Sequence, residues 1–328
     1  MERRRDRAAR VTQGAGDQAL ALNALLDGLR ERGYRFVTPT PTTHARVAAR
    51  RDLARDLRDV LGWSLSFKRD EIDAEIVNLL GEAGALEARG DLFASTLRVS
   101  SLDDLLFLHS AFPTTGRDAV FFGPDSYRFA RFVTSELSLL APRKHVVDLG
   151  AGSGVGAIVA GRLMEGAKLT LIDTNKAALA LAQVNALDAT LHAGLGGESG
   201  AEIAFLRSDG LSEAEGDIDA IIANPPYIAD PGRRLYRDGG GMHGGEVSLR
   251  WAEEAAARLK SGGALLLYTG SAIVDGEDRL KNALESALSD FDVSYREIDP
   301  DVFGEELERA DYADVERIAV VGVVAVKR

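Results

Sequence analysis

The chain of 328 residues contains no cysteine, which excludes disulfide bonds, thiolate metal sites and a cysteine nucleophile. Its five histidines are scattered and show no metal-ligand spacing, so the sequence predicts no metal site. No apolar run approaches the ~20 residues of a membrane-spanning helix. These absences lead us to expect a cytoplasmic protein that binds neither a metal nor a membrane.

Residues 1–10 are rich in arginine, but no apolar stretch follows them as a secretory signal would require. Glu2 and Asp6 also count against an organellar transit peptide, which is normally poor in acidic residues. We interpret this segment as a frayed, solvated start of the chain.

The net charge of −12 is unevenly distributed along the sequence. Residues 1–69 contain 15 lysines and arginines against 8 acidic residues, a net of +7, which leaves −19 for residues 70–328. An acidic catalytic region disfavours a broad electrostatic contact with nucleic acid, which normally requires a basic surface. The basic N-terminal part keeps that option open, although arginines interleaved with aspartates are more typical of solvated helix faces.

The length and the apolar content of 45% indicate a sizeable core and two domains, which we place at residues 1–118 and 119–328. In the first domain, leucines at helical spacing predict a helix that ends at Gly33. Further helices are predicted from Pro41 to Leu61 and over residues 70–86, followed by a hairpin that turns at residues 89–91. Over residues 42–100 this order is similar to a winged helix. Such a unit would either recognise a macromolecular substrate or cover a cofactor site.

From residue 119 onward the sequence predicts a loop, a helix and then regularly alternating strands and helices. The strands are short and continuously apolar, which is typical of a parallel sheet that is buried on both faces. The last two apolar runs have no helix between them, so we expect a terminal antiparallel pair. The predicted fold class is α/β with a Rossmann-like sheet.

A glycine-rich segment, Asp148-Leu149-Gly150-Ala151-Gly152-Ser153-Gly154, closes the first of these strands and opens the next helix. Glycines at alternate positions let a ligand approach the main chain closely. The spacing differs from the dinucleotide fingerprint, although a nicotinamide cofactor remains the competing interpretation. Asp148 would repel a phosphate and attract a sulfonium or ammonium group, which favours S-adenosylmethionine. Asp173 and Asp209 end the next two strands, where they can accept hydrogen bonds from ribose hydroxyls and from an adenine amine.

The fourth strand ends in Asn224-Pro225-Pro226-Tyr227. Two successive prolines remove backbone donors and leave carbonyl groups as acceptors, so the segment cannot continue a strand ladder. An amide oxygen, a fixed carbonyl and an aromatic face are suited to bind a planar NH2 group. We therefore predict that Asn224, Pro225 and Tyr227 form the catalytic set.

The motifs VVDLGAGSG, LIDTN, SDG and NPPYI, in this order and spacing, resemble the class I S-adenosylmethionine-dependent methyltransferases over residues 119–328. Within that class they are similar to the group that includes release-factor glutamine and exocyclic-amine adenine methyltransferases. The resemblance implies a seven-stranded sheet with an antiparallel last strand. The cofactor-binding set that the motifs predict is Asp148, Gly150, Ala151, Gly152, Gly154, Asp173, Thr174, Ser208, Asp209 and Asn224.

The sequence departs from the release-factor enzymes at residues 122–127 and at residues 236–246. The glycine-rich segment Gly239 to Gly245 is interpreted as a substrate lid, with a disordered connection as the alternative. Within it, His243 is a candidate proton acceptor, although a loop histidine without that role is the favoured interpretation.

The favoured function is methyl transfer to a protein glutamine amide, with a macromolecular partner such as a release factor. The alternatives are an adenine or guanine amine in RNA or DNA, and a non-catalytic or nicotinamide-binding protein that reuses the fold.

Overall fold

The computed structural model describes residues 16–197 and 200–328, so the predicted frayed start at residues 1–10 lies outside the described residues. The first helix, α1, spans Asp17–Glu31 and buries Leu25, Leu26 and Leu29 completely. Gly33 follows it with φ +64°, a left-handed conformation that ends a helix at low cost for glycine. The prediction of a helix that ends at Gly33 is confirmed.

The predicted helix from Pro41 to Leu61 is wrong, because two shorter helices occupy this stretch: α2 over Pro41–Ala48 and α3 over Leu57–Leu61. The Asp56 side chain accepts a hydrogen bond from the Asp59 backbone amide at 2.8 Å and so starts α3. Aspartate in a helical pattern competes with the backbone in this way and favours a new helix start.

The next helix, α4, spans Ala74–Glu82 and begins later than predicted, because Asp73 caps it through the amides of Glu75 and Ile76. Strands β1, Leu86–Arg89, and β2, Leu92–Ser95, form the predicted antiparallel hairpin. A second hairpin, of β3 at Leu97–Leu102 and β4 at Leu105–Ser110, was not predicted. Both of its strands are buried almost throughout, so they lack the alternation that marks a half-exposed strand.

The remaining elements follow the predicted order, except that a short strand at residues 277–278 and a helix at residues 279–287 were not predicted. They are helix α5 (Pro124–Leu137), strand β5 (His145–Leu149), helix α6 (Val155–Leu163), strand β6 (Lys168–Ile172), helix α7 (Lys176–His192), strands β7 (Glu202–Leu206) and β8 (Ile218–Ala223), helix α8 (Glu246–Arg258), strands β9 (Leu259–Val274) and β10 (Glu277–Asp278), helix α9 (Arg279–Ala287), and strands β11 (Phe291–Asp299) and β12 (Arg317–Lys327).

Seven strands form one sheet in the order β11-β12-β9-β8-β5-β6-β7, and the short β10 pairs with β9 at its end. The pairs of β5, β6, β7, β8 and β9 are parallel, whereas β12 runs antiparallel to both β9 and β11. The predictions of a Rossmann-like α/β sheet and of an antiparallel last strand are confirmed. Separate apolar cores cover the two faces of the sheet.

The N-terminal elements share a core with the sheet domain. Leu25, Phe67 and Leu108 belong to the same buried cluster as Ala178 and Leu181 of α7. The Asn185 side chain, also on α7, donates to the Leu108 carbonyl and accepts from the Leu108 amide. The N-terminal region therefore rests on the helix that follows β6, beside the carboxyl ends of the strands. None of the helices in the described parts of the chain is long and apolar enough to cross a membrane.

Candidate active site

A cavity of about 930 Å³ opens at the carboxyl ends of β5, β6, β7 and β8, where ligands of open parallel sheets collect. Ten of the twelve predicted site residues line it: Gly150, Ala151, Gly152, Asp173, Thr174, Ser208, Asp209, Asn224, Pro225 and Tyr227. Asp148 and Gly154 do not. The structure thus brings together residues from four strand ends that are far apart in the sequence.

Asp148 is only 1% exposed and does not line the cavity, so the structure gives no support to the predicted contact between its carboxylate and a cationic ligand group, which stays a prediction. The carboxylate instead accepts a hydrogen bond from the Ala157 amide at 2.7 Å, in the first turn of α6. Burial raises the pKa of Asp148 to about 7. The hydrogen bond from the Ala157 amide connects the end of β5 to the start of α6, which is a structural role.

Three glycines of the loop have left-handed backbones, with φ +76° at Gly150, +53° at Gly152 and +85° at Gly154. A Cβ at Gly154 would contact Leu171 and Ala182, which places this residue against the interior. A Cβ at Gly152 would meet no atom within 4 Å, so the main chain at Gly152 faces open space in the cavity. The loop therefore offers a bare backbone surface of the kind that a nucleoside ligand requires.

The Asp173 carboxylate accepts hydrogen bonds from the amides of Gly152 and Asn175, each at 2.8 Å. Burial raises the pKa of Asp173, and these backbone hydrogen bonds oppose the rise. Because an ionised carboxylate has about four acceptor sites, it can still accept from ligand hydroxyls. Asp209 is exposed and forms an ion pair with Arg250 at 2.9 Å, and both residues line the cavity.

Asn224 and Pro225 follow β8 and line the cavity. Neither the Asn224 side chain nor the Pro225 carbonyl has a hydrogen-bond partner anywhere in residues 16–197 and 200–328. Asn224 is half-buried. Two polar groups held by a proline-rich turn at the edge of a cavity, without a protein partner, are placed to bind a ligand.

Tyr227 is buried, with its ring against Gly270 and edge-on to Phe303 at 5.8 Å between ring centroids. A Cβ at Gly270 would come within 2.4 Å of the Tyr227 ring, so glycine is required on β9 at this point. Only part of the ring remains available to the cavity for the predicted stacking.

Asp125 is a cavity residue that we did not predict. It lies in the first turn of α5, is 5% exposed, and accepts hydrogen bonds from the Tyr268 hydroxyl at 3.1 Å and from Arg128 at 3.2 Å. Burial raises the pKa of Asp125, while a hydrogen bond from Tyr227 and the charge of Arg128 oppose the rise. Asp125 thereby connects α5 and β9 to the segment that carries Asn224.

The chain matches the family described as Methyltransferase small domain over residues 129–293, which is half of its length. The chain belongs to this family. Membership confirms the predicted enzyme class and supports S-adenosylmethionine as the cofactor.

Two curated relatives illustrate the range of this methyltransferase group. A release factor glutamine methyltransferase of Koribacter versatilis is 34% identical over 152 residues, which is 42% of this chain and 51% of the relative. A ribosomal RNA small subunit methyltransferase C of Shewanella loihica is 32% identical over 123 residues, which is 36% of this chain and 29% of the relative. The chain thus spans about half the length of the first relative and less of the second.

Among solved structures, this methyltransferase is similar to a Thermus thermophilus 16S rRNA methyltransferase in complex with AdoMet and guanosine. The TM-score is 0.45 and the sequence identity is 19%, with 80% of this chain and 64% of that chain covered.

The glycine-rich segment of this methyltransferase that we interpreted as a lid, residues 239–245, does not line the cavity. His243 also lies outside it and pairs with Asp314 at 3.0 Å, while its carbonyl accepts from the Tyr312 hydroxyl. The segment that does line the cavity is the preceding one, residues 233–238. The lid remains a prediction, and the cavity gives no support to His243 as a proton acceptor.

Proposed function

We propose that the chain is an S-adenosylmethionine-dependent N-methyltransferase whose acceptor is the NH2 group of a protein glutamine. The observation that carries the proposal is the pair of unpartnered acceptors, Asn224 and Pro225, in the same cavity as the bare backbone at Gly152. This arrangement supports a nucleoside site and a planar-amine site within one cavity.

The residues present fit the cofactor. The open side of Gly152 allows close approach, Asp173 has acceptor capacity for the ribose hydroxyls, and Asp209 and Ser208 lie at the adjacent strand end for the base. When bound, S-adenosylmethionine supplies an electrophilic methyl group that requires no further activation.

The task of the acceptor residues is to orient a weak nucleophile. An amide nitrogen is a poor nucleophile because its lone pair is delocalised. In the proposed mechanism, the Asn224 oxygen and the Pro225 carbonyl accept one hydrogen bond each from the two N–H groups, which fixes the nitrogen and stabilises its developing positive charge. Asp125 keeps Tyr227 in place beside them.

The second candidate acceptor is an adenine or guanine amine in RNA, because relatives of similar identity are named as ribosomal RNA methyltransferases. The net charge of −19 on residues 70–328 favours the protein substrate, since the sheet domain lacks the general positive charge of a nucleic-acid-binding surface. We also propose that the protein is cytoplasmic, that a domain boundary lies near residue 118, and that the N-terminal part contacts the substrate.

The experiment that tests the function offers radiolabelled S-adenosylmethionine and the full chain to recombinant release factors, ribosomes and total RNA. We expect label on a protein, at a glutamine that mass spectrometry identifies. Label confined to RNA would select the second candidate, and the absence of label from all three acceptors would contradict the proposed function.

S-adenosylmethionine is expected to raise the melting temperature of the free protein. A ligand that binds only the folded state adds ~2.7 kcal/mol of stability at a hundredfold excess over its dissociation constant. Differential scanning fluorimetry with S-adenosylmethionine, S-adenosylhomocysteine and NADH measures this effect. Stabilisation by NADH without any by S-adenosylhomocysteine would contradict the cofactor.

Asp125→Asn is expected to lower kcat about tenfold with little change in cofactor affinity. The substitution removes the negative charge of the carboxylate that accepts hydrogen bonds from Tyr227, Tyr268 and Arg128. The raised pKa of Asp125 means that its carboxylate becomes neutral at a higher pH than an ordinary one. Wild-type kcat should therefore fall with decreasing pH through that raised pKa, and the variant should lack this decline.

The matched control is Asp299→Asn, because Asp299 forms an ion pair with the same Arg128, at 3.0 Å, and its side chain is more exposed than that of Asp125. The control should keep the wild-type kcat and its decrease at low pH. Identical pH profiles for wild type and Asp125→Asn would show that Asp125 has no influence on turnover.

A further inference from the structure

The cavity is bordered on one side by two segments that are bonded to each other. The Leu235 amide donates to the Arg117 carbonyl at 3.1 Å, and the Tyr236 hydroxyl donates to the Thr114 carbonyl at 2.7 Å. The rings of Phe121 and Tyr236 stack at 5.5 Å and are nearly parallel. This part of the border is therefore formed jointly by residues 112–121 and 233–238, and its side chains are presented from a fixed backbone.

Two arginines of this border, Arg117 and Arg233, are exposed and line the cavity. Neither side chain makes an ion pair or a hydrogen bond with any residue that the structure describes. The other arginines of the cavity all pair with acidic side chains: Arg128, Arg234, Arg237 and Arg250. We call Arg117 and Arg233 the basic rim.

Another segment of the border, residues 301–305, carries the opposite charge. Asp301 and Glu305 are exposed, line the cavity, and form no ion pair or side-chain hydrogen bond with residues 16–197 or 200–328. The segment is fixed by Phe303, which packs on Tyr227, and by the Val302 amide, which donates to the Ile318 carbonyl at 2.8 Å. We call Asp301 and Glu305 the acidic rim.

We infer that the acceptor is a protein segment with side chains of both charges near the methylated amide: an acidic one for the basic rim and a basic one for the acidic rim. The inference rests on the proposed function and specifies its substrate. A phosphodiester strand is negative throughout, so the acidic rim would repel what the basic rim attracts. A polypeptide can match both, because its charge can change sign from one residue to the next.

Charge reversal of each rim tests the inference with recombinant release factor as the acceptor. The double variants are Arg117→Glu with Arg233→Glu, and Asp301→Lys with Glu305→Lys. Each should raise KM for the protein acceptor about three- to tenfold, with kcat and the dissociation constant of S-adenosylmethionine unchanged. The rise should diminish at high salt, because exposed charges are screened.

The matched control is Arg131→Glu, which reverses an exposed arginine on α5 that has no side-chain partner among the described residues and lies outside the cavity. It should leave KM unchanged, and melting temperatures of all variants verify that they are folded.

The two charge reversals together distinguish the possible outcomes. If reversal of the acidic rim lowers KM while reversal of the basic rim raises it, the acceptor surface that contacts the two rims is negative throughout and the inference is wrong. If neither reversal changes KM although a glutamine is still labelled, the inference is wrong and the proposed function stands. If no protein is labelled at all, both are wrong.

Discussion

Asn224→Ala is expected to lower kcat by about 100-fold while leaving the affinity for S-adenosylmethionine nearly unchanged. The Asn224 side chain has no protein partner in the described structure, so its removal breaks no internal hydrogen bond, and the fold should retain its stability. The loss would fall on the acceptor amine, whose developing charge loses one preorganised partner, an effect that typically costs ~3 kcal/mol. Single-turnover kinetics and calorimetry measure the two quantities separately.

Asn224→Asp is the more discriminating variant. A carboxylate still accepts hydrogen bonds from an amine, so partial turnover would support the acceptor role, whereas full activity of the alanine variant would contradict it. A large loss of cofactor affinity in either variant would instead place Asn224 in the cofactor site. A parallel decrease of stability would point to a structural turn.

The sheet domain could be predicted from the sequence because its strands are short, continuously apolar runs separated by helices. The glycine loop and the turn at Asn224 lie at strand ends, so their meeting in one cavity follows from the direction of parallel strands. The family assignment follows from the same motifs.

Two features of the N-terminal region were not predicted: the second hairpin and the break between α2 and α3. Strands β3 and β4 are buried on both sides, which removes the period of two by which a strand is recognised. The break between α2 and α3 depends on the capping bond at Asp56, whereas the leucine spacing around it is compatible with a continuous helix.

Side-chain direction explains what the site prediction missed. Asp148 and Leu149 are neighbours at the end of β5, yet Leu149 lines the cavity and Asp148 turns toward α6. Successive side chains of a strand point in opposite directions, and the motif alone does not specify which of them faces the ligand. Asp125 was missed because its hydrogen-bond partner Tyr268 is 143 residues away in the chain.

Gly150→Ala and Gly152→Ala are expected to differ sharply, although both glycines lie in the same loop with left-handed backbones. A Cβ at Gly150 would lie 2.5 Å from the Trp251 ring, whereas one at Gly152 would meet nothing within 4 Å. Gly150→Ala should therefore cost backbone strain of about 1–2 kcal/mol plus overpacking of about 1–3 kcal/mol. Gly152→Ala should cost the strain alone. Urea unfolding measures both losses of free energy.

The affinity for S-adenosylmethionine provides a second test of the role of Gly152. The methyl group at residue 152 would point into the open cavity, so Gly152→Ala should weaken S-adenosylmethionine binding while its free energy of unfolding falls only slightly. In a Trp251→Ala background the clash at Gly150 disappears, and Gly150→Ala should then cost no more stability than Gly152→Ala. Equal destabilisation by the two substitutions in the wild-type background would mean that Trp251 does not support the loop. Unchanged cofactor affinity in Gly152→Ala would mean that S-adenosylmethionine does not lie against the main chain at Gly152.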